Sequence, residues 1–367
     1  MKTQQKQSKS RLLEWNLLIC GPMVHGGFIN AKGIGDALEI STNYNCSRSI
    51  IENIERWGHL FKRIMLVTWS HQEKLISPEI KSLGIDILLL EDPGQKSSFC
   101  HDNRIRVMTT TSAGIKAINS PNSHIIRIRS DQTFDLSEMI KSHVKASNII
   151  RNNQILSNTR LPHISALRFW LDRPYALCNF AHAGLSPDLL LFAEAQIRYR
   201  HASALRNDGW PEGDSIRKHL LALMPSLKKH GFRKGDCFPD LPKSLLEGDD
   251  AVLMNNIPKD TLKLWEFSLK HIYSCSSKKA TESLVWKDKK YPDPKTFGNG
   301  MRFYKNWKRC AKGDTTEIFS YCNSKFSSSW IPQRNKLKWT LHGKAEQVEG
   351  LKPSLSSKAK SFIKTKL

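Results

Sequence analysis

The sequence predicts an α/β protein in which a mostly parallel sheet is flanked by helices and followed by a helical, basic C-terminal part. Three observations predict this class. Four short apolar runs alternate with segments of helical periodicity over residues 14–140. Three of the four runs stop at a Gly-Pro pair or a charged cluster, as strands do before a turn. Helical segments then dominate, and the last third is rich in lysine. Strands that alternate with helices form parallel sheets with right-handed crossovers.

The predicted elements of the first half are four strands with three helices between them. The strands are short and rich in β-branched or aliphatic residues, and each helix places apolar residues on one face. The second half has helical periodicity without predicted strands. The predicted strands cover residues 15–20, 63–69, 85–90 and 125–128, and the predicted helices cover residues 45–57, 77–84, 103–118, 186–199, 214–224 and 259–273.

Composition divides the chain into five predicted segments. The two ends are polar, which predicts disordered tails. Between them we expect one domain made of two halves, followed by a basic and aromatic extension. The predicted segments are residues 1–13 (tail), 14–140 (α/β half), 141–275 (second half of the same domain), 276–342 (extension) and 343–367 (tail).

The formal net charge of the 367-residue chain is +23, and much of it lies near the C-terminus. Residues 255–367 contain 24 Lys and Arg against 9 Asp and Glu. A basic surface attracts phosphates, which are found in nucleic acid, in anionic lipid and in phosphorylated substrates. The eight cysteines form no CxxC pair, so we expect reduced thiols in the cytoplasm and no zinc ribbon. No apolar run reaches the ~18 residues of a membrane helix.

A Gly-Pro turn follows the first strand of the predicted sheet, and charged residues follow two others. Parallel strands end at one edge, so the three loops are predicted to open on one crevice, where α/β proteins bind ligands. The start of the third helix adds a place for an anion. The alternative is a set of ordinary polar turns and a solvated arginine at a helix cap. The candidate ligand-binding residues are Gly21, Pro22, Asp92, Pro93, Gly94, Asn103, Arg104, Arg129 and Asp131.

Six segments, in this order, suggest a family. They read LLICGPM, NCSRSIIENI, RIMLVTWSHQ, ILLLEDPG, DNRIRVMTTTSAGIKAI and HIIRIRSDQTF. Together they resemble the WavE family of lipopolysaccharide-core synthesis proteins, whose members look like glycosyltransferases with the GT-A fold. The resemblance continues more weakly through PYALCNFAHAGLSPDLLLFA and WPEGDSIRKHLL. It implies a GT-A-like sheet, with a nucleotide-sugar donor on the first half and an acceptor on the second.

The resemblance also implies a place for the donor's diphosphate. Arg129-Ser130-Asp131 stands where GT-A enzymes carry a DxD motif, with Arg129 in place of the first aspartate. Asp131 is then the carboxylate that can hold a hydrated Mg²⁺ or Mn²⁺ ion. The alternative is that Arg129 itself neutralises the leaving phosphates. Asn179 is a second departure, because the family pattern has aspartate there.

A general base is expected from the second half, because an inverting transfer must take a proton from the acceptor hydroxyl. Glu212 and Asp214, in the turn before a predicted helix, are the candidates, with Asp208 behind them. The alternative is that they are acidic residues favoured by the helix dipole.

The function predicted from the sequence is transfer of a sugar to a lipopolysaccharide core or a related bacterial surface glycan. We expect the enzyme in the cytoplasm, in peripheral contact with the anionic inner membrane face, and we expect no nucleic acid. Two alternatives stay open: a basic nucleic-acid-binding protein, and a degenerate transferase that only binds its ligand.

Overall fold

The computed structural model describes residues 14–26, 43–93, 104–170, 175, 177–178, 180–199, 211–237, 259–290 and 301–314. The strands are β1 (Trp15–Cys20), β2 (Val24–Gly26), β3 (Asn43–Asn45), β4 (Arg63–Trp69), β5 (Asp86–Leu90), β6 (His124–Arg129), β7 (Gln132–Thr133), β8 (Ile164–Ala166), β9 (Phe169–Trp170), β10 (Ala181–Leu185), β11 (Tyr273–Cys275), β12 (Val285–Trp286), β13 (Lys289–Lys290) and β14 (Met301–Arg302). The helices are α1 (Ser47–Trp57), α2 (Pro78–Ser82), α3 (Arg104–Ile118), α4 (Leu136–Leu156), α5 (Ser186–Arg198), α6 (Pro211–Ala222), α7 (Met224–Leu227), α8 (Lys234–Cys237), α9 (Lys259–His271), α10 (Lys278–Glu282) and α11 (Tyr304–Ala311).

Seven strands form one sheet in the order β5-β4-β1-β6-β10-β8-β11. Neighbouring strands are parallel except at β10, which runs antiparallel to β6 and β8. The predicted mixed α/β class and the mostly parallel sheet are therefore confirmed. The chain leaves β1 towards β4 and β5 and later returns to β6 on the other side of β1. Strand order thus reverses between β1 and β6, and such a switch point is where open α/β sheets bind ligands.

The central strand β1 is buried along its whole length because helices cover both faces of the sheet. A sheet of this kind needs apolar residues at consecutive positions, and WNLLIC supplies them. Leu17 and Ile19 belong to one hydrophobic core, which also contains apolar residues of α1. Leu18 and Cys20 belong to the other, which contains apolar residues of α3 and α5.

Three strands extend the sheet beyond β6, where the sequence predicts none. β8, β10 and β11 have only three to five residues, with the sequences ISA, AHAGL and YSC. Their polar side chains are buried and bond to one another, as Ser165 Oγ and Ser274 Oγ do at 2.6 Å. Short strands that bury paired polar groups do not give the alternating or continuous apolar pattern of a predicted strand.

Helix α4 was not predicted either, although it has 21 residues. The Asp135 carboxylate caps it by accepting a hydrogen bond from the Glu138 backbone N–H at 3.0 Å. Its first turns contribute Met139 to one hydrophobic core and its later turns contribute Ile150 to the other. Among the described residues, no helix combines the length and apolar character that a membrane span requires.

The second half and the predicted C-terminal extension share one core. The predicted helix at 259–273 ends at His271, because Tyr273 begins β11. Trp307 on α11 is fully buried, and its indole N–H donates to the backbone oxygens of Leu269 and Tyr273 at 2.9 and 2.7 Å. The described part of the extension is therefore packed against the sheet, while the exact domain boundaries stay predictions.

Candidate functional site

The loops after β1 and β6 meet at the switch point. Gly21 has φ +142°, and a Cβ atom there would lie 2.5 Å from Ser130 Oγ. The Ser130 hydroxyl donates to the Pro22 carbonyl at 2.8 Å, and its backbone N–H donates to the Cys20 carbonyl at 3.0 Å. Glycine is required here because only glycine allows both the backbone angle and the close approach.

Arg129 and Asp131 form a bidentate pair beside this junction. The guanidinium Nε and Nη2 atoms donate to the two carboxylate oxygens of Asp131 at 2.9 and 2.8 Å. Trp286 Nε1 donates to the Oδ2 atom of Asp131 at 2.7 Å. The side chain of Asp131 is fully buried, whereas that of Arg129 is 19% exposed. The arginine is thus the member of the pair that a ligand can contact.

Two aromatic rings hold the guanidinium of Arg129. Its central carbon lies 5.4 Å from the ring centroid of Phe180 and 5.7 Å from that of Trp286. Burial opposes the charge of Arg129, but the Asp131 carboxylate outweighs burial, so the pKa of Arg129 lies above its ordinary value. The group is therefore a fixed, permanent cation. Neither ring was predicted as part of the site.

The ring of Phe180 is fixed through its own backbone. The Phe180 carbonyl accepts hydrogen bonds from Gln132 Nε2 at 2.7 Å and from the guanidinium of Arg127 at 3.2 Å. Arg127 is buried, and burial lowers its pKa to about 10. It also lies 2.8 Å from His182 Nδ1. Arg127, a second and buried arginine of β6, thus holds Phe180, whose ring in turn contacts Arg129.

The turn between β12 and β13 closes the site from the C-terminal part of the chain. Lys287 and Asp288 have φ +52° and +60°, the left-handed pair that a two-residue hairpin turn requires. The Lys287 backbone N–H donates to the Asp131 carbonyl at 2.9 Å, and Lys287 Nζ lies 5.4 Å from the Trp286 centroid. Burial lowers the pKa of Lys287 to about 8.

An open cleft of about 910 Å³ adjoins this turn. It runs along α1, and its lining includes four carboxylates (Glu52, Glu55, Glu79 and Asp288) and two cations (Arg48 and Lys287). Tyr44, also in the lining, donates its hydroxyl to Asp288 at 3.1 Å. The cleft is therefore lined mostly by hydrogen-bond acceptors, and the turn between β12 and β13 separates it from the switch point.

Asp92 lies at the same edge of the sheet but three strands from Arg129. At ~4.8 Å between neighbouring strands, the separation is about 14 Å. Asp92 accepts a bidentate pair from Arg106 on α3, at 2.8 and 2.7 Å. Pro93 follows directly. The sequence predicted an arginine of this helix at the site, and the described contact is made by Arg106, which was not predicted.

The backbone places the predicted base at this edge too. β10 runs against β6, so α5, which follows it, runs back towards the edge where β6 ends. Gln196, near the end of α5, donates to the Ser215 carbonyl on α6 at 2.7 Å. Glu212 and Asp214 lie in the first turn of α6, which begins at Pro211 and therefore before the predicted start. Their side chains are outside what the structure describes.

Several predicted positions cannot be placed. The side chain of Arg104, at the start of α3, lies outside the described residues. So do Gly94, Asn103, Asn179 and Asp208 as a whole. Their proposed roles stay predictions from the sequence.

The surroundings of Asp131 do not fit a divalent ion. Both of its oxygens accept hydrogen bonds from Arg129, one of them also from Trp286, and water does not reach the carboxylate. Mg²⁺ and Mn²⁺ need carboxylate oxygens that are open to the ion. Among the described residues, no three His, Cys, Asp or Glu side chains converge on a possible metal position. Asp131, as arranged here, is the partner of Arg129 and Trp286 and offers no open oxygen to a metal ion.

Comparison with known proteins gives no family. No family model matches the chain, and no curated protein matches it. The resemblance to the WavE family is thus without support from these comparisons. Among solved structures, one similar chain is 4-diphosphocytidyl-2C-methyl-D-erythritol synthase from Anaerococcus prevotii DSM 20548. It is 10% identical, with a TM-score of 0.31, and the match covers 57% of this chain and 84% of that chain. Similarity at this level does not establish function.

Proposed function

We propose that this protein is a glycosyltransferase that moves a sugar from a nucleotide-diphosphate-sugar donor to a lipopolysaccharide core or a related bacterial surface glycan. The observation that carries the proposal is the clamped guanidinium of Arg129 at the switch point between β1 and β6. Arginine binds phosphate oxygens in a planar, bidentate manner. The contacts of Arg129 with Asp131, Phe180 and Trp286 already orient its guanidinium, so binding does not have to supply the entropy cost of doing so. A diphosphate is the ligand that suits this position best.

The dimensions of the edge support a nucleotide sugar. In the proposed pose, the diphosphate contacts Arg129 and the nucleoside extends about 14 Å along the edge towards Asp92. The acceptor approaches the same edge from the side of α6, since sugar hydroxyls donate hydrogen bonds to carboxylates such as those at the start of this helix. Glu212 or Asp214, at the start of α6, removes the acceptor's proton.

The acceptor proposed here is built on lipid, which places the enzyme at the cytoplasmic face of the inner membrane. The high positive charge supports peripheral binding to anionic lipid, where each Lys or Arg near the surface adds ~1 kcal/mol. Co-sedimentation with anionic but not with neutral vesicles is the expected result. Binding to neither kind of vesicle would contradict this part of the proposal.

A second candidate is a subunit that binds the donor without transferring its sugar. The observation in its favour is the sequestered carboxylate, since Asp131 is paired with Arg129 where GT-A enzymes carry a DxD motif. The two candidates differ in turnover and not in donor binding.

The test is a thermal-shift panel of nucleoside diphosphates and nucleotide sugars, followed by an assay for release of nucleoside diphosphate in the presence of lipopolysaccharide core. A ligand at 100 times its Kd should add ~2.7 kcal/mol of stability. Arg129→Gln should abolish the shift. Arg309→Gln, which removes a solvent-exposed Arg–Asp pair on α11, should leave it unchanged. No shift with any nucleotide would refute the proposal, and binding without release would favour the second candidate.

A further inference from the structure

Two protein cations share one aromatic ring at the end of β6. The guanidinium carbon of Arg129 lies 5.7 Å from the ring centroid of Trp286, and Lys287 Nζ lies 5.4 Å from it. Both residues are also bound to the Asp131 segment, Arg129 through the carboxylate and Lys287 through its backbone N–H. The neighbouring carboxylate of Asp288 is engaged elsewhere, by the hydroxyl of Tyr44. The junction thus holds two cations close to one buried carboxylate.

That carboxylate is committed to holding Arg129 and Trp286 in place. Asp131 receives two N–H groups from Arg129 and one from Trp286 and is fully buried. The pair uses two of the five guanidinium N–H donors, so donors on Arg129 remain to contact a ligand. The carboxylate of Asp131 therefore presents no open oxygen to an anion that enters beside it.

We propose that Arg129 binds the donor's diphosphate, that the buried ammonium of Lys287 beside it helps to neutralise the diphosphate during transfer, in place of a divalent ion, and that Trp286 is the positioning residue for both cations. This inference rests on the proposed function, and it deepens that function by assigning the charge stabilisation to two residues of the chain. Arg129 is predicted from the sequence, whereas Lys287 and Trp286 are placed at this junction only by the structure.

The chemistry requires positive charge at this point. In the transfer, the bond between the anomeric carbon and the β-phosphate oxygen breaks, and its electron pair stays on that oxygen. The acceptor's hydroxyl oxygen forms the new bond to the carbon, and its proton passes to a carboxylate base. Negative charge therefore grows on the leaving diphosphate. Fixed cations stabilise such charge without reorganising. The guanidinium does so through N–H groups that it donates to phosphate oxygens, and the buried ammonium does so through its charge.

The hairpin explains why the two cations stay together. Lys287 occupies the first left-handed position of a two-residue turn, directly after Trp286, so the backbone fixes Lys287 relative to Trp286. β12 pairs with β7, which directly follows Asp131 in the chain. The indole N–H of Trp286, its ring and the backbone hydrogen bonds of the hairpin therefore hold Trp286 and Lys287 next to Arg129 at the end of β6.

The experiment measures binding of uridine, guanosine, adenosine, cytidine and thymidine diphosphates and of the matching monophosphates, in excess EDTA and in Mn²⁺. The diphosphate that stabilises the unmodified chain should do so equally in both conditions. Lys287→Gln should weaken binding of that diphosphate about tenfold or more, as expected for loss of one positive charge near the phosphates, and should change monophosphate binding little. Lys287→Arg, which keeps the charge, should restore most of the affinity.

Lys290→Gln is the matched control, because Lys290 is an exposed lysine of the same hairpin. It should bind the diphosphate like the unmodified chain. Binding that requires Mn²⁺ would overturn the inference and leave the proposed function intact, as would a Lys287→Gln variant with unchanged affinity. The EDTA measurement uses the unmodified chain and so decides the metal question even if that variant does not fold, and Lys287→Met is a second neutral variant. Absence of binding to every nucleotide would overturn the proposed function itself.

Discussion

Replacing Asp131 by asparagine should destabilise the fold strongly. The substitution keeps the shape of the side chain but removes the charge opposite Arg129, and the new amide NH₂ group faces guanidinium donors. Asp131 is fully buried and Arg129 is 19% exposed, so little water is available to replace the lost partner. Removing one member of a buried ion pair costs ~3–5 kcal/mol. Native proteins are stable by only ~5–15 kcal/mol, so this is a large fraction of the total.

The measurement is the denaturation midpoint in urea, with Asp86→Asn as control. Asp86 also pairs with an arginine, Arg63, but that pair is exposed, with side chains 46% and 39% accessible. Exposed pairs contribute ~0–1 kcal/mol. We therefore expect a large loss of stability for Asp131→Asn and almost none for Asp86→Asn. Equal midpoints for the two variants would refute the reasoning that Asp131 is a structural partner of Arg129.

Three further predictions concern other parts of the molecule. Gly21→Ala should cost ~1–3 kcal/mol, measured by urea denaturation, because φ +142° is unfavourable with a Cβ atom and Ser130 Oγ occupies its space; an unchanged midpoint would contradict this. Burial lowers the pKa of His163 to about 3 and that of His143 well below 6.5, so both are neutral when folded. Stability should therefore fall as the pH drops below about 6.5, by ~1.4 kcal/mol per pH unit per histidine, and for His163 the fall should continue to about pH 3. His163→Gln should show a shallower fall. Glu212→Gln should slow turnover by ~10²–10⁴ and spare donor binding; unchanged turnover would remove it as the base.

The sequence predicts those parts of the fold whose burial is apolar and continuous. β1 reads WNLLIC and lies between two helical layers, so its pattern and its environment agree. The strands β8, β10 and β11 were missed because they bury serine and histidine side chains whose partners lie on other elements, as Ser165 of β8 and His143 of α4 do at 2.7 Å. No rule based on apolar spacing detects such strands, because the pairing depends on residues far apart in the chain.

The same limit applies to the site. The position of Arg129 and Asp131 at the end of β6 was predicted, because strand ends in parallel sheets share an edge. The role of Asp131 was not, because its partner Trp286 lies 155 residues away. The segment VWKDKK forms two short strands joined by a Lys-Asp turn. This pair lacks the glycine of the turns that predict a hairpin from sequence, and nothing in the segment indicates where the hairpin packs.

The amino edge of the sheet carries buried histidines that are neutral in the folded protein, whereas the carboxyl edge carries the permanent cation Arg129. A change of pH therefore affects folding and chemistry through different groups. At the amino edge, His124, at the start of β6, and His163, just before β8, lie against His143 of α4, and burial lowers the pKa of all three. At the carboxyl edge, Arg129 stays charged across the whole range in which these histidines titrate. A loss of activity below pH 6.5 would therefore report protonation of the histidine cluster and loss of folded protein. Only a change in turnover at constant folded fraction reports the chemistry of the cations and the base.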